Sequence, residues 1–284
     1  MSVDHYENFP VASVLCPPRI RPAVVAIYHF ARTADDIADE GSTGPAQRLQ
    51  ELQAYRNALL ATMDGRPPSQ RWCAIFAGLA RQIDRFELPA APLLALLDAF
   101  EQDVHNPVYA DRPALLDYCA RSANPIGRLL MHLYRIDDAL SLRQADAICS
   151  ALQLINFWQD LSVDGPRGRH YVPLSDLHAH GVQQAALSAC QDCPKTRQLV
   201  ADLCAWAGGL MLQGAGLALR VPGRAGWELR LVVQGGLRIL EKIKHNNHAA
   251  LLQRPILRAH DGPLLLWRAL RMSAASPFKT SEAL

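Results

Sequence analysis

Apolar positions along this chain recur at three- and four-residue intervals, the spacing of one helical face, so the pattern predicts helices. Helical windows run over 23–39, 45–63, 69–86, 90–104 and 114–123, and resume after a break as far as 135. Further windows cover 141–164, 181–189, 195–220, 225–253 and 262–273. Pro22 suits a first helical turn, Gly65, Pro67 and Pro68 stop the second window, and Pro89 and Pro92 separate the third from the fourth. No good run of alternating β-branched residues marks a strand. The fold class that follows is all-α. It is one helical bundle over 23–272 with a central pocket between helices, an irregular arm over 1–22 and a flexible tail over 273–284. The break at Asn124-Pro125-Ile126-Gly127 leaves two readings open: a kink that bares backbone to a cavity, or a plain boundary between two helices.

The polar residues that interrupt this pattern carry the chemistry. In the 141–164 window Gln153, Asn156, Asp160 and Asp164 advance by about one turn each and share a stripe. Leu152, Leu154, Ile155, Phe157, Trp158 and Leu161 between them are apolar, so the two amides need hydrogen-bond partners on a mostly buried helix. Gly165-Pro166 then stops the helix, leaving both carboxylates at the end whose dipole disfavours an anion by roughly 0.3–1 kcal/mol. The 23–39 window ends likewise: Tyr28, Arg32, Asp35 and Asp39 share a face, Asp36 lies beside them, and Gly41 follows as a cap. Asp35, Asp36, Asp39 and Glu40 should repel one another, with no Lys or Arg one turn further on.

The plain reading of each cluster is a solvated helix end. Asp160 and Asp164 then pair with Arg167 and Arg169, and Arg32 neutralises Asp35 and Asp36. Two such clusters with in-phase amides favour cations instead. Asp35, Asp36, Asp39, Asp160 and Asp164 are the expected ligands, and Mg²⁺ shared with substrate phosphates suits carboxylates better than Zn²⁺ does. Arg32, Arg167 and Arg169 then read as phosphate ligands. Tyr171 is open between a core aromatic and a direct ligand.

Composition narrows the class. Half of the 284 residues are hydrophobic, enough for a sizeable core, and a net charge of +2 gives no case for nucleic acid. Seven cysteines without a disulfide-like framework favour a reducing compartment, and Cys190-x-x-Cys193 stands alone without a second metal-binding pair. The polar, acidic N-terminus is no signal peptide, and the uncharged run from Leu203 to Leu219 is short and glycine-rich, so a cytoplasmic location is expected. No Glu-x-x-His pair supports a di-metal carboxylate oxidase, and no G-x-G-x-x-G follows a strand, so no NADPH is expected. The stretch Pro263 to Met272 has an apolar face and two cations, which fits a peripheral membrane contact or a terminal helix packed on the bundle.

Together these motifs resemble a known pair. Tyr28-His-Phe-Ala-Arg32-x-x-Asp35-Asp36-Ile-x-Asp39-Glu40, followed by Gln153-x-x-Asn156-x-x-x-Asp160-x-x-x-Asp164-x-x-Arg167-Gly168-Arg169-x-Tyr171-x-Pro173, looks like the two signatures of the squalene/phytoene synthase family. The resemblance implies the isoprenoid synthase fold, with two aspartate-rich helices facing each other. It implies two or three Mg²⁺ ions, a prenyl diphosphate substrate, catalytic roles for Tyr28, Arg32 and Tyr171, and substrate contacts from Asn8, Gln153, Asn156, Arg167 and Arg169. The opening Asp4-His-Tyr6-Glu-Asn8-Phe9-Pro and Asn156-Phe157-Trp158-Gln159-Asp160 are similar to the hydroxysqualene synthases of bacterial hopanoid-type pathways. Those enzymes turn presqualene diphosphate into hydroxysqualene with water capture, between a presqualene diphosphate synthase and a separate reductase.

Three positions depart from the wider family. Gln159 stands where an Arg commonly precedes the first Asp, Ser122-Ala-Asn124-Pro125-Ile-Gly127 replaces a Val-Ala-Gly-type segment, and Gly236 falls where a Tyr is common. Each puts the standard two-step condensation of prenyl diphosphates, the competing function, in doubt. Asn124 is the candidate for holding water near a cation.

Overall fold

A computed structural model describes residues 15–272, except Ser42, Pro68 and Ser69. Among them there is no strand, and the fold is all-α. The helices are α1 (Arg21–Asp39), α2 (Pro45–Met63), α3 (Cys73–Phe86), α4 (Ala90–Asp103), α5 (Arg112–Ser122), α6 (Asn124–Tyr134) and α7 (Ala139–Gln159). After them come α8 (Leu161–Asp164), α9 (Leu174–His180), α10 (Gln184–Ser188), α11 (Pro194–Gly214), α12 (Leu217–Arg220), α13 (Gly223–His245) and α14 (Gly262–Arg271). The expected substrate contact Asn8, most of the arm and the tail over 273–284 lie outside the described residues.

Two apolar cores flank a long cavity. The first joins α1, α2, α3 and α4 with Leu129 and Leu133 of α6. At its centre Phe30 stacks on Tyr55 with ring centroids 5.3 Å apart, Tyr55 meets Phe76 at 4.9 Å, and all three rings are buried. Burial of each such side chain stabilises by about 1.5–3 kcal/mol, and the Tyr55 hydroxyl donates to Phe30 O at 3.1 Å. This cluster fixes the roll of α1 and so the direction in which its acids point. The second core gathers α5, α7 and α11 to α13, with α7 packed most extensively on α11. Glycine permits that approach: a Cβ on Gly214 would sit 2.6 Å from Gln144 O and from Ile148 Cγ1.

The helical windows are mostly reproduced, and their differences have local causes. The 141–164 window breaks at Asp160, whose ψ of 9° turns the chain before α8. Between the 141–164 and 181–189 windows lie a 3₁₀ turn, Gly165–Arg167, and, after Pro173, α9, a helix that the sequence pattern missed. Gly181, at φ 58°, ends α9, so the 181–189 window shrinks to α10. The 195–220 window divides around Gly214 and Gly216, both pressed on Gln144. The 225–253 window stops at His245, before Asn247 and His248 take positive φ. At Asn124 the structure has a boundary between two helices, Ala123 ending α5 and capping α6, and Ser122, Ala123 and Ile126 beside it line the cavity. Among the described residues no helix is long and apolar enough to cross a membrane.

Candidate active site

The cavity has a volume of about 1340 Å³ and runs along α1, α7 and α13. Its wall descends α1 from Val24 to Asp39 and α7 from Ala145 to Asp160, so the acidic C-terminal ends of both helices meet at one end. Most of the remaining wall is apolar, including Ile27, Leu130, Met131, Ile148, Leu152, Leu217 and Leu229. Such a shape suits a ligand with a long hydrocarbon body and a charged head.

The structure brings together Tyr28, Arg32, Asp35, Asp39, Gln153, Asn156, Asp160, Asp164, Arg167, Arg169 and Tyr171, all of which line this cavity. Two of the sequence candidates do not join them. Asp36 is outside the lining and pairs with Arg32, its Oδ1 2.7 Å from Nη2. Asn124 is outside it as well. Its Oδ1 accepts from Ser150 Oγ of α7 at 2.9 Å.

At the first cluster Arg32 Nη1 also donates to Asp35 Oδ2 at 2.9 Å, and Nη2 reaches Glu40 Oε1 at 3.1 Å. Arg48 caps the helix end, donating to Ala38 O at 2.6 Å and Gly41 O at 2.9 Å. That places a cation at the negative end of the α1 dipole. At the second cluster Arg254 donates from Nε to Asp160 Oδ1 and from Nη2 to Asp160 Oδ2. Arg169 spans the two, its Nη2 2.7 Å from Asp39 Oδ2, and Asn106 Nδ2 holds the loop by donating to Gly168 O. The aromatic wall is dense: Phe157 stacks on Tyr171 with centroids 3.7 Å apart, and Tyr109 and Tyr118 pack beside them.

Crowding and burial weaken the acids. Burial, then the Asp39 charge, pushes Asp35 up to about 6 against the pull of Arg32. Burial, then Asp160, likewise pushes Asp164 up to about 6, against Arg169 and Arg167. A third carboxylate, Asp103 at the end of α4, is pushed up to about 7, chiefly by burial, although it accepts from the Tyr118 hydroxyl at 2.9 Å. Asp39 raises both Asp35 and Asp164, so the two acidic helix ends share one electrostatic neighbourhood.

Sequence reasoning missed Asp103, Tyr118, Arg48 and Arg254, all of which line the cavity. Asp103 carried the same signal as the others, an acid at a helix C-terminus, but without a second acid in phase. Arg254 lies in an irregular segment 94 residues from its partner and left no local pattern to read.

The donors suit a hard cation. Those at the cavity end are carboxylates paired with arginines, and among the described residues no group of three or more His, Cys, Asp or Glu side chains is gathered closely enough to hold a metal ion by itself. An open, all-oxygen set of this kind matches an ion that retains water and takes phosphate oxygens, whereas a structural zinc site would be closed by thiolate or imidazole.

The sequence pattern described as squalene/phytoene synthase matches residues 3–261. The chain belongs to that family. Its members are enzymes that act on prenyl diphosphates, and the cavity, with one charged end and an apolar body, has the form such a substrate requires. The chain is 31% identical to a hydroxysqualene synthase of Sinorhizobium fredii over 240 residues, 84% of this chain and 80% of that one. It is 29% identical to a presqualene diphosphate synthase of Zymomonas mobilis over 282 residues, 95% of this chain and 90% of that one. The crystal structure of squalene synthase HpnC from Alicyclobacillus acidocaldarius is similar at a TM-score of 0.79 and 33% identity, covering 87% of this chain and 91% of the other.

Proposed function

We propose that this family member is a hydroxysqualene synthase, ionising presqualene diphosphate and capturing water to release hydroxysqualene and diphosphate. The observation that carries this reading is the similarity to the S. fredii hydroxysqualene synthase over most of both chains. A second feature supports it. Gly236 lies in the cavity wall, where a Cβ would sit 2.9 Å from Met211 Cε and 3.2 Å from Ile155 Cδ1, so this wall is packed too closely for the larger residue common in the family.

The carboxylates of Asp35, Asp39, Asp160 and Asp164 line the cavity, which supports them as the Mg²⁺ ligands, whereas Asp36 lies outside the lining and pairs with Arg32. Magnesium bound there would supply Lewis-acid stabilisation of the negative charge on the leaving diphosphate. Arg32, Arg167 and Arg169 add fixed positive charge at the same end, while Gln153 and Asn156 offer amides to the substrate oxygens. The apolar wall excludes bulk water from the carbon skeleton, and the faces of Phe157 and Tyr171 present electron density to a developing carbocation. Tyr28 stands on the same wall, one turn before Arg32.

Incubation of purified enzyme with Mg²⁺ and either presqualene diphosphate or farnesyl diphosphate tests the proposal. Hydroxysqualene from the first and no condensation product from the second is the expected result. The similarity to the Z. mobilis enzyme favours a second reading, condensation to presqualene diphosphate, and accumulation of that product from farnesyl diphosphate would replace the first. We also propose peripheral membrane contact through α14, which leaves Leu266, Trp267 and Leu270 exposed with Arg271 over the Trp267 ring at 4.6 Å. Replacing those three residues by Ser should abolish co-sedimentation with anionic liposomes, and undiminished binding would refute it.

A further inference from the structure

Asp160 and its neighbour Gln159 grip two consecutive residues of a segment almost a hundred positions away. Gln159 is fully buried and lies outside the cavity lining, at the last position of α7. Its Nε2 donates to Pro255 O at 2.6 Å. The residue before Pro255 is Arg254, whose guanidinium makes the two-point pair with Asp160 and lines the cavity. The two side chains of that pair are only 16% and 18% exposed, so the interaction is poorly screened. The same segment is tied down on its other side, where Lys242 Nζ donates to Ile256 O at 2.8 Å and to Asp261 Oδ2 at 2.6 Å. Arg238 completes that anchor by donating to Asp261 Oδ1 at 2.9 Å.

This geometry explains a residue that no cavity contact accounts for. A neutral amide at 159 satisfies a buried carbonyl without putting a charge into the fully buried position. The positive charge beside Asp160 comes instead from the 253–258 segment, and the amide sets where that segment sits. We infer that Gln159 is a positioning residue: by holding Pro255 it places the Arg254 guanidinium against Asp160, and so sets the charge available to an anion at the acidic end of the cavity. The inference rests on the proposed diphosphate chemistry of this site, but not on which prenyl diphosphate is used or which product forms.

The test is a double-mutant cycle read by calorimetric binding of inorganic pyrophosphate in the presence of Mg²⁺, with no turnover involved. Gln159→Met keeps the volume and removes the donor, and Arg254→Ala removes the guanidinium. Loss of one charge-assisted contact corresponds to about a tenfold or greater rise in Kd, so Arg254→Ala should show at least that. Gln159→Met should weaken binding by several-fold in the native background and by less than about twofold once Arg254 is gone, because it acts through that residue. Equal weakening in both backgrounds, or none in either, overturns the inference. Should Gln159→Met fold poorly, Arg254→Lys decides. It leaves the Gln159–Pro255 bond and the thermal midpoint in place, yet loses the planar fork, so pyrophosphate binding should still fall by several-fold. Unchanged affinity in that variant would also overturn it. Failure of the hydroxysqualene assay alone, with this coupling intact, would remove the product assignment and leave the positioning role standing.

Discussion

The two acidic helix ends hold their charge in different ways. At the end of α1 the counter-charge is local: Arg32 lies one turn back and reaches Asp35, Asp36 and Glu40 from within the same segment. At the end of α7 it is imported. Asp160 depends on Arg254, and α7 itself carries no cation in its last turn. Only Arg169 belongs to both ends, arising just after the second and pairing with Asp39 of the first. Most of the first cluster's pairing is therefore made within one helix, with Arg48 and Arg169 added from elsewhere. In the second, Asp164 has Arg167 and Arg169 close by in sequence but Asp160 is paired by a segment 94 residues away, so Asp160 should be the more sensitive to changes far from the chemistry.

The largest expected effect removes the symmetry. Replacing Asp35 and Asp39 together by Asn, or Asp160 and Asp164 together, should each lower kcat/KM by on the order of 10²–10³-fold or more. Urea midpoints without metal should change little for the first pair, where relief of repulsion offsets the lost pairing with Arg32 and Arg169, and should fall for the second, which breaks the partly buried Asp160–Arg254 pair. A pair that proves dispensable would show that one end alone carries the chemistry.

A smaller effect concerns pH. Asp35 and Asp164 both sit at about 6, above the ordinary carboxylate value. Without metal, the folded protein binds these protons more tightly than the unfolded chain. That contribution to stability is full below about pH 4 and is lost as pH rises through 6. Mg²⁺ reverses the trend, since its ligands must be deprotonated. Saturation near 100 times Kd stabilises by about 2.7 kcal/mol, so Mg²⁺ should raise the thermal midpoint by several degrees at pH 7.5. At pH 5.5 the rise should be less than half as large. A Mg²⁺ shift independent of pH would mean that neither acid takes part.

The smallest effect isolates the local pair. Arg32→Met should move the Asp35 titration upward by roughly one pH unit in a carboxyl-resolved NMR experiment, because an adjacent guanidinium lowers a carboxylate pKa by about that much or more. The Asp164 titration should barely respond, since Arg32 is not among its neighbours of consequence. Equal shifts at both sites would mean that the two ends behave as one coupled cluster.

Legibility followed the same division. The helix boundaries of α2 and most of α1 were readable because proline starts and glycine or aspartate stops act within a few residues. The stripe from Gln153 to Asp164 was readable because four in-phase polar residues on an apolar helix are a local anomaly. Asn124 was less legible, and it lies outside the cavity lining. A polar residue beside a proline break looked like a cavity feature, yet whether its amide faces cavity or neighbour depended on Ser150, on another helix.

From the sequence alone came the all-α class, the two acid-bearing helix ends, and the family signature that joins them, since all of these rest on periodicity and spacing within short segments. Folding decided the rest: that both ends open on one cavity, that Asp36 and Asn124 lie outside its lining, and that Asp103, Arg48 and Arg254 complete it. The physical reason is range. Helical phase and capping act across a turn or two, whereas burial and charge pairing depend on which segments meet in space, and no local pattern encodes a contact between residues 160 and 254.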